Sequence, residues 1–479
     1  MKKAPVVCAA FLVSVIAGVP ATAKVFFRVT PYPLPPARKT GVEDVVVVWP
    51  SPDSSSIARL RSGGYRVWLQ CESKDLTEAV AAADQALSTG VIVTNPANSN
   101  QSLEKQLSTL AVAHKNLAFR NLISGGKQPQ MRGRLVVERD GILQVSSPST
   151  QPWLDTNLAI VRLAQSTHPD SFPITYDFRW STEEVPAGAW HPDADDYALA
   201  IAESDAIRWD VIIDLPIALQ KALNAEDPQA WSLWKKAMAY LGFASRAPAE
   251  TSHPVANLGV IVDEERDSYE AVNLMARHNL AFEAIRPRDL TRSHLNGWNA
   301  VVAFCALNHE AVAILQNFAA MGGIVVLVNS LENFPWHSAP PFRREPHSTT
   351  YTIGSGQIVE LAEPVIDPEG FARDLRRVIG RERSVLGLWN SLTTIVTAYR
   401  DQDRREITLY LVNYADQPDN VQVQVKGRFR QVRYESPDEP CCVSLSSFER
   451  NGFTEFTIPS LRIVARVHLD SRGENSAAQ

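Results

Sequence analysis

The residues of this sequence best placed to do chemistry are acids at the ends of apolar runs. Asp177 lies at the end of PITYDF, Asp214 closes DVIID, Glu72 follows YRVWLQ, and Asp155 sits in PWLDTN. In a barrel of parallel strands, functional groups come from the C-terminal strand ends. Two carboxyls there suit glycoside hydrolysis, with retention at a separation of roughly 5 Å and inversion at roughly 6.5–9.5 Å. One carboxyl protonates the glycosidic oxygen; the other acts as nucleophile or as base for water. Asp177 and Asp214 end the best-defined runs and form the candidate catalytic pair. Each could instead cap a helix or pair with an arginine, and Asp155, at a helix start, would also stabilise the helix dipole. Glu138, in a hairpin, and Glu203, inside a helix, are weaker candidates.

A second group of polar side chains surrounds these acids. The stretch Gly126 to Gln165 crowds Lys127, Arg132, Arg134, Glu138, Trp153, Asp155 and Asn157 around the runs LVVE and ILQV. Asp140-Gly141 between those runs is a strong hairpin signal. We read this stretch as the rim of a sugar-sized pocket, with Glu72, Lys127, Arg132, Trp153, Asp155, Asn157 and Trp180 as candidate substrate-binding residues. Lys127, Arg132 and Arg134 could clamp an anionic sugar, since arginine presents a fork to anions; pairing with Glu138, Asp140 or Asp155 is the plainer use. Eight of the eleven tryptophans fall between Trp49 and Trp234. Of these, Trp153 and Trp180 stand beside polar loops and could stack on a sugar ring, whereas Trp231 and Trp234 read as helix packing.

Other chemistries lack a pattern. The ten histidines show no HxH or HExxH spacing, so no metal is implied. No GxSxG elbow, Walker loop or GxGxxG is present, and no cofactor is expected. Cys305, His309 and Glu310 invite a cysteine–histidine reading, but a cysteine at an apolar strand end is usually a small hydrophobe.

The elements that must position these residues fall into three groups. From Val45 to Leu241, apolar runs alternate with helical stretches: VVVVW, Tyr65 to Gln70, Gly90 to Thr94, PITYDF and DVIID are strands. The stretch Leu76, Ala79, Val80, Ala83, Leu87 lines one helix face. Repeated strand–helix units with apolar strands imply a parallel sheet. The expectation is a TIM-barrel-like domain over 44–245, complete or incomplete with about six clear strands, and an open sheet is the alternative. Residues 246–256 read as a linker. Residues 257–383 repeat the strand–helix rhythm as a doubly wound, flavodoxin-like domain. From 384 to 470 the period changes to two, as in Ile407, Leu409, Leu411 and in Val421, Val423, Val425, which is the pattern of an antiparallel β-sandwich. The fold class expected is therefore α/β multidomain.

The ends complete the outline. Lys2 and Lys3, the apolar run Val6 to Val19 and Ala21-Thr22-Ala23 have the form of a signal peptide over 1–23, so a periplasmic or secreted location is expected. Residues 24–43 read as an extended lead-in and 471–479 as a disordered tail. No later stretch is apolar enough to span a membrane. Without Lys2 and Lys3 the chain holds 45 basic against 53 acidic side chains, a net charge of −8, which argues against nucleic acid as a partner. Cys71, Cys305, Cys441 and Cys442 do not make a disulfide scaffold, and adjacent cysteines such as Cys441 and Cys442 seldom pair.

Taken in order, these three domains resemble the trimeric β-galactosidases of glycoside hydrolase family 42 and related glycosidase-like proteins. The likeness is carried by the strand–helix series Val45 to Leu241, by MGGIVVLVN with GSGQIVEL, and by LYLVNYA, VQVQVKGRF and FTIPSLRIVARVHL. It implies a barrel, an amidotransferase-like flavodoxin-type domain and a small sandwich, a carbohydrate substrate, and trimer or dimer formation through the second domain. The family carries an Asn-Glu pair after the fourth barrel strand; this chain has no Asn-Glu dipeptide, so its catalytic glutamates do not transfer. Where the amidotransferase family places its nucleophilic cysteine, after IVVLV, stand Asn329 and Ser330. A barrel that has lost catalysis and binds a glycan or a protein partner is the alternative reading.

Overall fold

The computed structural model describes residues 23–50, 54–96, 101–124, 136–139, 142–145, 157–167, 173–178, 192–246, 252–263, 268–330, 332–391, 393–401, 406–415, 417–439 and 441–471. Its first unit is a closed parallel barrel. The strands are β1 (Val25–Arg28), β2 (Asp44–Val48), β3 (Arg66–Glu72), β4 (Gly90–Pro96), β5 (Ala118–Ser124), β6 (Ile174–Phe178) and β7 (Asp210–Asp214). Pairing of β1 with β7, Arg28 opposite Asp214, closes the ring. Helices α1 (Ser54–Ser62), α2 (Leu76–Gln85), α3 (Gln101–Ala113), α4 (Leu158–Thr167), α5 (Ala194–Ile207), α6 (Ile217–Asn224) and α7 (Pro228–Ala244) follow the strands in turn.

The apolar runs are continuous because both faces of each strand are covered. Val45 and Val47 of β2, like Val211 and Ile213 of β7, join the core between strands and helices. Val46 and Ile212, one residue out of phase, join a separate interior cluster with Phe26, Trp68, Ile92 and Leu122.

Two strands of the barrel carry no clear pattern in the sequence. The stretch taken as an extended lead-in supplies β1, where Phe26 and Phe27 are buried on opposite faces. β5 escaped notice because Arg120 and Asn121 interrupt its apolar pattern; Arg120 is ion-paired inside the barrel with Asp210. The hairpin flanking Asp140-Gly141 is present, with Val136–Arg139 antiparallel to Ile142–Val145.

The second unit has β8 (Leu258–Ile261), β9 (Phe282–Ile285), β10 (Ala300–Ala303), β11 (Ile324–Val328), β12 (Ser348–Ile353) and β13 (Gly356–Leu361). In space the sheet runs β9-β8-β10-β11-β13-β12, then a short strand Arg343–Arg344. The first five strands are parallel and the rest antiparallel. Val260, Val302 and Val326 face α8 (Tyr269–Arg277) and α10 (Pro368–Ile379); Ile261, Val301 and Val325 face α9 (His309–Ala320).

The C-terminal region is two antiparallel sheets that share one apolar core. Val396, Leu409 and Val467 come from one sheet and Val423, Val425 and Phe456 from the other. The segment read as a linker contributes a strand to it: Ser252–Pro254 pairs with Thr394–Asp401, so the chain is tied down where it passes between units.

α5 lies between the barrel and this region, and every residue from Asp196 to Ile207 is buried. Its polar members are matched across the boundary. Arg466 donates from Nη2 to Asp205 Oδ2 at 2.9 Å and to the Phe243 carbonyl at 3.0 Å. Glu203 accepts from Tyr414 Oη at 2.6 Å. Cys441 and Cys442 are joined as a vicinal disulfide, contrary to the sequence expectation. The antiparallel pairing of Tyr434 with Val443 and Arg433 with Ser444 sets Cys442 just beyond the last rung of this short ladder.

Candidate active site at the barrel mouth

The barrel interior has three tiers. At the N-terminal end of the strands, Asp44 accepts from Arg66 Nε at 3.0 Å and from Trp68 Nε1 at 2.8 Å. Asp210 pairs there with Arg120 and accepts from the Lys24 amide at 2.8 Å. Burial pushes the Asp210 carboxyl up despite the Arg120 charge. The middle tier is the apolar plug, in which Phe26 meets Trp68 edge to face at 5.3 Å. Such layers make the barrel a packed core and not a pore.

The third tier, at the C-terminal strand ends, is polar. Arg28 Nη1 donates to Asp214 Oδ1 at 2.6 Å, while its Nε and Nη2 donate to Gln70 Oε1 at 3.0 and 2.9 Å. Gln70 Nε2 in turn donates to Thr94 Oγ1 at 3.2 Å. This chain runs across β7, β1, β3 and β4. The Asp214 side chain keeps 40% of its surface accessible while Arg28 keeps 16%, so the carboxylate is offered at the mouth and the guanidinium anchors it from below. Behind Asp214, Gln220 donates to the Leu215 carbonyl at 2.7 Å and accepts from Thr30 Oγ1 at 3.1 Å, fixing the turns that leave β7 and β1.

The candidate residues divide accordingly. Asp214 ends β7 and belongs to the polar tier. Asp177 lies in the neighbouring β6, in register with Ile212; its side chain is outside the described residues. Glu72 is in register with Thr94 at the same end, exposed and paired with Lys74 at 2.7 Å. Lys127, Arg132, Trp153, Asp155 and Trp180 lie outside the described residues. Asn157 is placed elsewhere. It is buried at the start of α4, where its amide N and Nδ2 donate to Glu203 Oε1 and Oε2 at 3.0 and 2.7 Å, so the structure corrects its assignment to the rim. Burial raises the Glu203 carboxyl, and the three donors only partly offset it. Sequence reasoning missed Arg28, Gln70 and Thr94. The periodicity of β3 and β4 could have found the last two, because each falls in phase with Trp68 or Ile92.

Among the described residues, cavities also open away from this mouth. One of about 680 Å³ is lined by Arg292, Trp298, Asn317, Met321 and Arg383, at the N-terminal edge of the second unit's sheet. In that unit Asn329 follows β11 with a left-handed backbone, φ 53°, and burial pushes the Cys305 thiol up to about 12.

No protein-family model matches the sequence, and no curated protein matches it. Solved structures do. An α-L-fucosidase isoenzyme 2 from Paenibacillus thiaminolyticus aligns over 94% of this chain and 100% of its own, with 12% identity and a TM-score of 0.57. The chain has a remote glycoside-hydrolase-like fold. Weaker likenesses include two β-galactosidases. One, from Bacillus circulans sp. alkalophilus, has 10% identity over 94% of this chain and 99% of its own, with a TM-score of 0.47. The other, a family 42 enzyme from G. stearothermophilus, has 9% identity over 84% and 66%, with a TM-score of 0.44.

Proposed function

We propose that this is an exported glycoside-hydrolase-like protein that acts on a carbohydrate at the barrel mouth through Asp177 and Asp214. The observation that carries the proposal is the polar tier of Arg28, Gln70, Thr94 and Asp214 seated on a sealed apolar plug at the C-terminal strand ends. That is where barrel enzymes place their chemistry. Asp214, ion-paired with Arg28, suits the role of nucleophile or of base for water; Asp177 on the adjacent strand would protonate the glycosidic oxygen. Gln70 and Thr94 offer hydrogen bonds to sugar hydroxyls, and Glu72, Lys127, Arg132, Trp153, Asp155 and Trp180 would complete the rim.

Around this site we read 1–23 as a signal peptide directing the chain to the periplasm or outside the cell, the second unit as flavodoxin-like and oligomerising, and the third as a β-sandwich. No helix among the described residues is long and apolar enough to cross a membrane.

One observation favours a second reading. The Asp214 carboxylate is already engaged by Arg28, as it would be in a barrel that binds a glycan or a protein partner without cleaving it. A panel of chromogenic glycosides and natural oligosaccharides separates the two. Turnover that disappears in Asp177→Asn or Asp214→Asn supports the enzyme. Glycan binding without turnover supports the binding protein. Sugar binding unchanged in an Asp177→Ala, Asp214→Ala double variant refutes the site under both readings.

A further inference from the structure

Among the described residues, one cluster has the composition of a metal site. Glu435, Cys441 and Cys442 present a carboxylate oxygen and two sulfurs within 4.8 Å of one another. The hairpin explains the meeting. Tyr434 is opposite Val443 and Arg433 opposite Ser444, so the next step of the ladder brings Cys442 alongside Glu435. Glu435 is buried, Cys442 half-buried and Cys441 exposed, which leaves the sulfurs open to solvent above an anchored carboxylate. Glu435 Oε1 accepts from Arg466 Nη1 at 3.2 Å and meets His468 Nε2 at 3.3 Å. The Arg466 charge is balanced by Asp205 on its far side, and His468 also bonds Glu406.

Two thiolates with one carboxylate are a donor set for a borderline-soft divalent cation, and the exposed side leaves a position for water or a further ligand. We propose that Cys441, Cys442 and Glu435 bind a thiophilic divalent cation once the disulfide is reduced by a dithiol. In the exchange the protein S–S bond breaks and the reductant's forms. Two electrons and two protons pass to the cysteine sulfurs, and binding the cation releases those two protons. The oxidised pair offers no thiolate, so the site is gated by redox state. Cys71 and Cys305 do not compete, since burial pushes both thiols up to about 12.

Cadmium ion alone is the probe, added to the full chain after reduction and anaerobic removal of the dithiol. The expected result is one cadmium per reduced chain, with a thiolate-to-metal charge-transfer band and release of two protons, and no binding to the oxidised chain. A Cys441→Ser, Cys442→Ser variant, near-isosteric at an exposed and a half-buried position, should fold normally and lose the band. Glu435→Gln, checked for folding, should weaken binding on the order of tenfold or more. Equal cadmium uptake by oxidised and reduced chains, a band that survives the double variant, or unchanged affinity in a folded Glu435→Gln chain would overturn the proposal.

Discussion

Replacing Arg466 with methionine should detach the C-terminal sheets from the barrel's buried helix. The side chain is fully buried, and its two amino groups each make two hydrogen bonds. The guanidinium also lies over the Phe243 ring at 4.3 Å, a contact that the methionine stem would partly keep. What is lost is the cation shared by Asp205 and Glu435, whose side chains are only 3% and 7% exposed. Removing one member of a buried ion pair costs about 3–5 kcal/mol, because the other charge is left in a poor solvent. The penalty should depend on pH. Burial already raises the Asp205 carboxyl against the pull of Arg466, and without Arg466 that rise is larger. A raised acid contributes stability that is present below its unfolded value of 3.8 and lost as pH rises through the folded value. Arg466→Met should therefore be least damaging in acid and most damaging at neutral pH. Asp205→Asn in the same chain should recover much of the loss. Urea unfolding followed by tryptophan fluorescence, with hydrogen exchange in Ala194–Ile207, reads both effects. A cost under about 1 kcal/mol at pH 7, or one that is flat with pH, would refute the reasoning.

Three further outcomes follow from the same geometry. His468 bonds Glu406 and Glu435, and although burial opposes it these carboxylates hold its pKa above 6.5; its contribution to stability should be full below 6.5 and fade as pH rises through the folded value. Burial also opposes the charge on Glu435, but His468 and Arg466 hold its carboxyl below 4.5, so its contribution should be present above 4.5 and vanish in acid. Thermal unfolding should peak between these limits, and His468→Gln should flatten the alkaline side; an unchanged profile would contradict the assignment. Gly90→Ala should cost about 1–3 kcal/mol in a urea melt, because a Cβ there would run into the Ala118 carbonyl and the Trp68 ring. Asn329→Ala should cost about 1–2 kcal/mol and Asn329→Gly little, since the position has a left-handed backbone at φ 53°.

Much of the architecture was legible because burial writes itself into residue period. The runs VVVVW and DVIID are apolar at every position, and the structure uses alternate residues for the interior plug and the outer shell. The same pattern exposed β8, β10 and β11, where Val260, Val302 and Val326 face one helix pair and their neighbours face α9. β1 and β5 were hidden for opposite reasons. VFFR is too short and too close to prolines to stand out, while β5 carries Arg120 inside the barrel, where Asp210 makes a charge tolerable. Of the site, Asp214 was recoverable because it closes a run. Arg28 was not, since a charge four residues into an unrecognised strand has no pattern to mark it. Asn157 was misassigned because polarity in a loop looks like a rim; its partner Glu203 lies 46 residues away on a helix buried between two units.

The central claim is that a carbohydrate seats on the polar tier of the barrel, over Phe26 and Trp68, against Asp214 and Arg28. Hydrogen exchange with and without a saturating oligosaccharide tests it most directly. Protection should appear at the C-terminal ends of β1, β3, β4 and β7, around Arg28, Gln70, Thr94 and Asp214. Protection confined to the cavity between Arg292 and Arg383 would contradict it.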